Sequence, residues 1–222
     1  MSKLFHLFQQ LYSNTEQKLA WALSLGESNP AQYKKLLENV AQFHDSQACL
    51  ALYQLGRLCL KTEPFQWYNM YYQKALAYAD LAIAKDFLLG HMIKGYLCVE
   101  ILEKSSWIAG NKDEKHLRQL LTTYCVPQLL LSLYILQEAL SLNPHDMKKY
   151  EKVPNFKHYD HPERGPVPSI NDVKEAIEDY ITIYDLSAEK INSIRNDAKA
   201  RMNEYNSPLS RFDIARKKIM GP

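Results

Sequence analysis

Residues 46–85, SQACLALYQLGRLCLKTEPFQWYNMYYQKALAYADLAIAK, constrain the chain more than any other stretch. Apolar residues return every three or four positions on both sides of Lys61-Thr62-Glu63-Pro64, the spacing of amphipathic helices and not of strands. Ala48, Leu52, Leu55, Gly56 and Cys59 form the inner face of the first helix, and Tyr68, Tyr72, Ala75, Ala79 and Ala82 that of the second. Pro64 ends one helix and suits the first turn of the next. The segment therefore predicts two helices, from a Ser46 cap to about Leu60 and from about Phe65 to Lys85. Small residues in facing rows let the two backbones approach closely.

The same period continues along the chain. Ser13 and Glu16 have capping-box spacing, which predicts a helix to about Leu25 with Gly26 as its stop. Asn29-Pro30 starts another that runs through Tyr33, Leu36, Leu37, Val40 and Phe43 to about His44. Asp86 to about Lys104 follows, with Phe87, Leu88, Met92, Tyr96, Val99 and Leu102 as its stripe. A loop at Gly110-Asn111-Lys112 precedes a short helix capped by Asp113. Tyr124–Leu142 is the most apolar segment and is expected in the middle of the core, with Pro127 in its first turn. The chain has only seven glycines and no long alternating runs. The fold class is all-α, a bundle or short helical-repeat domain of seven to nine helices with a C-terminal helical arm.

Composition shifts after residue 142. Residues 143–168 hold five prolines and few aliphatics, which predicts a linker or loop between a 1–142 domain and a 169–222 arm. The arm reads as one helix from Ser169 to about Asn206, with Val173, Ile177, Tyr180, Ile181, Tyr184, Ile191 and Ile194 as its stripe. Its first part, 169–189, carries six acids and one base, and 190–218 carries eight bases and three acids, an order that suits the helix dipole.

Bulk chemistry narrows the function classes. A net charge of +2 gives no field for nucleic acid or membrane surfaces. Cys49, Cys59, Cys98 and Cys125 are irregularly spaced and form no CxxC, so they read as reduced, buried thiols of a cytoplasmic protein. The N-terminus lacks the pattern of a signal peptide. The longest apolar run, Cys125–Leu136, is interrupted by Pro127, Gln128 and Ser132, so no membrane span is expected.

One family resemblance follows from these residues. Ala48…Leu55-Gly56 in the first helix and Tyr72-Gln73-Lys74-Ala75-Leu76…Ala79 in the second resemble a tetratricopeptide or Sel1-like helical repeat. Glu138-Ala139-Leu140-Ser141-Leu142-Asn143-Pro144 is similar to the close of a tetratricopeptide unit. Residues 46–85 match one unit, with degenerate neighbours to 144 and no regular period. Lys61-Thr62-Glu63-Pro64 replaces the Gly-rich turn of Sel1 units. The resemblance implies a concave protein-binding surface without catalysis.

Candidate sites are few. Phe65, Trp67, Tyr68, Tyr71 and Tyr72 place five aromatics in eight residues, more than one helix face can bury. Trp67 and Tyr71 share one side, and Phe65, Tyr68 and Tyr72 another, so one set is free to anchor a partner. Arg216, Lys217 and Lys218, with Arg211, give the tail a small basic patch. His158-Tyr159-Asp160-His161 offers metal-ligand chemistry but no second ligand pair to complete four. No hydrolase serine motif, phosphate loop or dinucleotide fingerprint occurs. These features predict a non-enzymatic adaptor or complex subunit that binds protein, with no cofactor and neither nucleic acid nor small-molecule substrate. A secretion-associated bacterial component, chaperone or effector is the alternative on compositional style. An enzyme using the His158–His161 loop is the third reading.

Overall fold

A computed structural model of the chain describes residues 14–61, 72–108, 119–142, 144–151 and 167–207. Helices make up 89% of it, and no strand occurs among the described residues. The chain is all-α. Nine α-helices are described: α1 (Thr15–Leu25), α2 (Pro30–Val40), α3 (Ser46–Leu60), α4 (Tyr72–Lys85), α5 (Phe87–Ile108), α6 (Val126–Leu142), α7 (Pro144–Glu151), α8 (Ile170–Ile183) and α9 (Ala188–Asn206). Contacts divide the chain into two compact units, residues 1–97 with 149–167 and residues 98–148 with 168–222.

In the first unit, α1 packs on α2, α2 on α3 and α3 on α4, and α1 also reaches α3. The helix starts are set by side-chain caps, which satisfy N–H groups that no helical carbonyl can reach. Asn14, the neighbour of the expected Ser13, accepts from the Gln17 N–H at 2.8 Å. Asn29 accepts from the Gln32 N–H at 3.3 Å, with Pro30 in the first turn. Asp45, one residue before the expected Ser46, accepts from the Ala48 N–H at 2.9 Å. Gly26, at φ +41°, ends α1, a conformation that favours glycine. α2 ends at Val40, short of the expected His44, and Phe43 lies exposed beyond it.

Helix α3 is buried nearly all round, and α4 contributes a fully buried row of Ala75, Ala79 and Ala82. The short side chains bring α4 close: the Cys49 thiol donates to the Ala82 carbonyl at 3.8 Å. One residue, Asp86, joins α4 to α5. Its carboxylate accepts from the Leu89 N–H at 3.2 Å and from the Tyr150 hydroxyl at 2.5 Å. Two turns of α5 then run against α4 with Gly90 at the backbone of Ile83.

The second unit centres on α6. Here the helix differs from expectation: residues 119–120 are already helical, and a π turn, Leu121–Cys125, leads into Val126. Pro127 is therefore inside a continuous helix. A proline there lacks its N–H, and its ring presses on the carbonyl four residues back. The wider π turn relieves that clash, with the Val126 N–H bonded to the Leu121 carbonyl. In that register Pro127 has no N–H to offer the Thr122 carbonyl, to which Lys190 Nζ donates at 3.2 Å.

The C-terminal segment also differs from one long helix. Asp185 takes φ +48°, and Ser187 caps a new helix by accepting from the Lys190 N–H. Both α8 and α9 pack on α6. Val173 and Ile177 are buried from α8, and Ala198 and Met202 from α9. α8 starts at the expected Ser169, whose side chain forms a capping box with Asp172. Within the proline-rich stretch, Pro144–Glu151 is helical, because Pro144 occupies a first turn, where its missing N–H has no helical partner to lose.

Candidate interaction surface

Of the residues the sequence singles out, Tyr72 alone is described. It opens α4, half-buried, and its hydroxyl accepts from Gln73 Nε2 at 3.4 Å. Phe65, Trp67, Tyr68 and Tyr71 lie outside the described residues, as do Arg211, Arg216, Lys217 and Lys218. His158, Asp160 and His161 lie outside them too, and among the described residues no cluster of three His, Cys, Asp or Glu could hold a metal ion.

Among the described residues, the ionisable groups with displaced pKa values are tyrosines and cysteines, and burial is the first cause in each. It raises Tyr33, Cys59, Tyr78 and Tyr96. Burial, then the Asp86 carboxylate, pushes the Cys49 thiol up to about 12. Burial, then Glu103, takes Tyr180 to about 12. A raised thiol or phenol stays neutral near pH 7, and neutral sulfur is a poor nucleophile. All four cysteines are free, three of them buried and Cys59 partly so.

Buried polar side chains escaped the sequence reading. His91, Lys94 and Glu100 are inside, although they stand on α5 among apolar residues. The Lys94 ammonium meets the Asp80 carboxylate at 2.7 Å, so its charge is matched within the α4–α5 pair. His91 stands edge-on to Phe87, ring centroids 4.8 Å apart. The cause of the miss is that α5 is buried on most sides, and a single-stripe pattern assigns polar residues outward.

Large apolar side chains are exposed at Phe43 and Leu81 in the first unit, and at Tyr124, Leu142 and Ile183 in the second. Phe43 is tied to its surroundings by cations. Lys85 Nζ donates to its carbonyl at 2.8 Å, and Lys18 Nζ lies 5.1 Å from the centre of its ring. Phe43 ended the predicted stripe of α2, so sequence periodicity assigned it to the core. The early helix end at Val40 is what turns it outward.

No family model, curated protein or solved structure matches the chain.

The helix through α6 bears on the expected lack of a membrane span. Leu121–Leu142, 22 residues, is long and apolar enough to cross a membrane. The sequence starts this helix at about Tyr124 and counts Pro127, Gln128 and Ser132 as interruptions, whereas the π turn begins it at Leu121 and carries it through Pro127. Half of its apolar window is buried inside the protein.

Proposed function

We propose that this chain is a non-enzymatic protein-interaction module, an adaptor or subunit of a larger complex, acting in the cytoplasm. The observation that carries this reading is the serial stacking of α1 to α4, each on the next, with α1 also on α3. Stacked antiparallel hairpins bury one continuous core and leave an extended outer surface that can vary without disturbing it. That contact order is also what two tetratricopeptide-like or Sel1-like hairpins would make, so it supports that kinship.

Two further points favour the reading. Among the described residues, the displaced pKa values belong to tyrosines and thiols held neutral by burial, not to acids or bases tuned for proton transfer. Leu121–Leu142 reads as a core helix, because α8 and α9 cover it while carrying exposed charges such as Glu175, Glu178, Asp179, Asp197, Lys199 and Arg201. Helices of that character face water rather than lipid.

Affinity purification of the tagged chain at its native level, followed by light scattering, tests the proposal. The expected result is a protein partner in fixed stoichiometry. A lone, monodisperse monomer overturns it.

A further inference from the structure

We infer that two copies of this chain exchange α9: in each, α8 and α9 straighten into one helix, and α9 packs on the α6 of the other copy. All the contacts concerned lie within the second unit.

The residues carry the pattern of an unbroken helix through the turn that separates α8 from α9. Ile177, Tyr180, Tyr184, Ser187, Ile191 and Ile194 follow one another at alternating steps of three and four. One long helix needs that phase kept from end to end, whereas two helices joined by a turn do not. Tyr184, Asp185, Leu186 and Ser187 include neither glycine nor proline, so nothing in the turn forbids helix.

The turn fits its residues poorly. The Leu186 N–H bonds to the Ile181 carbonyl at 3.2 Å, and the Asp185 N–H to the Thr182 carbonyl at 3.3 Å. These two bonds close a helix end around a left-handed residue, which is most often glycine. Here that residue is Asp185, at φ +48°. A side chain in this conformation costs free energy that straightening returns.

α9 is also separable from α8. Both pack on α6, and they make hardly any contact with each other. The anchors of α9 are on α6. Lys190 Nζ donates to the Thr122 carbonyl at 3.2 Å. The Arg195 guanidinium stands 5.2 Å from the centre of the Tyr134 ring and donates to its hydroxyl at 3.4 Å. Ala198 and Met202 are the buried apolar residues of α9. A straightened α9 in a lone chain would carry both into water. A second copy presents the same α6, so every one of these contacts is remade between chains. The occupant of the vacated surface is therefore specified by the chain's own α9. Exchange of an identical element through a short, strained turn is a low-cost route to a dimer.

The test refolds the full chain, Asp185→Gly and Asp185→Ala at a series of protein concentrations and reads the dimer by size exclusion with light scattering. Asp185 is exposed, so neither change touches the core. Glycine eases the left-handed turn and weakens a straight helix, and alanine does the reverse. The expected result is a wild-type dimer whose dissociation constant rises about fivefold or more for Asp185→Gly and falls by a like factor for Asp185→Ala. Spin labels at Glu175→Cys and Lys199→Cys, with the partly exposed Cys59 replaced by alanine, read the exchange itself in labelled chain diluted into unlabelled chain. Twenty-four residues of straight helix set the labels about 36 Å apart, and the folded-back turn holds them well inside that. The long spacing is expected in the dimer and the short one in the monomer. A dimer that keeps the short spacing is an ordinary association and overturns the exchange. Equal dissociation constants for the three chains overturn it as well, as does a monomer at every concentration for both wild type and Asp185→Ala. Asp185→Gly eases the closed form, so its comparison with wild type decides the matter if Asp185→Ala folds poorly.

Discussion

Three glycines of the first unit allow one chemical change to be read in three environments. A Cβ added at Gly90 would stand 2.3 Å from both Cα and N of Ile83 and 2.6 Å from the Ala82 carbonyl carbon. These are backbone atoms of α4, which cannot swing away. Ordinary contact needs about 3.4 Å or more, so α4 and α5 must part by over 1 Å right beside their one-residue joint at Asp86. At Gly56 the nearest atoms are Leu97 Cδ1 and Cδ2, at 2.8 and 3.1 Å, and a leucine tip can rotate. At Gly95 nothing lies within 4 Å. Replacing a helical glycine by alanine gains about 0.8–1 kcal/mol of helix propensity. Gly95→Ala should show most of that gain. Gly56→Ala should fall within about 1 kcal/mol of wild type. Gly90→Ala should lose about 2 kcal/mol or more net, as overpacking against rigid backbone exceeds the propensity gain. At about 2–4 °C per kcal/mol for a chain of this size, melting by far-UV circular dichroism should separate Gly90→Ala from Gly95→Ala by roughly 6–12 °C. Equal melting of these two variants would refute the close α4–α5 approach.

Two other outcomes follow from the second unit and from the buried thiol. Lys190→Met removes a charged donor from the Thr122 carbonyl; urea titration should show a loss of about 1.5–3 kcal/mol, typical of a bond to a charged donor. Cys49 should weaken the fold in alkali. Its thiol ionises at the ordinary 9.0 when unfolded but at about 12 when folded. Between those values the unfolded chain holds fewer protons, so stability falls as pH rises, by up to about 1.4 kcal/mol per pH unit. Below pH 9 the effect vanishes. Cys49→Ala should therefore flatten the pH dependence of the urea midpoint between pH 9 and 11; an unchanged slope counts against the burial of that thiol.

Helix existence and type were legible in the sequence because period and caps agree. Asn29-Pro30, Gly26 and the Ser169/Asp172 pair stand where the chain starts and stops its helices. What was not legible depends on tertiary partners. Ser46 and Asp45 are both good caps, and the choice falls to Asp45, whose second oxygen is also held by Thr15, thirty residues away. The break at Asp185 has no proline or glycine to announce it; α8 and α9 both find apolar partners on α6, and a positive-φ aspartate lets the chain turn between them.

Pro127 shows the same limit from the other side. Read locally, a proline inside an apolar run marks a first turn, and Pro127, Gln128 and Ser132 together interrupt the run that would otherwise suggest a span. The structure keeps the helix going by widening one turn, and Lys190, far along the chain, donates to the carbonyl that Pro127 cannot serve. The candidate surface was hidden for a related reason. Phe43 and Leu81 are apolar residues in apolar surroundings, and periodicity alone assigns the first to a core. Its exposure is decided by where α2 ends, and its surroundings by two lysines from α1 and α4 whose neighbours in space are not their neighbours in sequence.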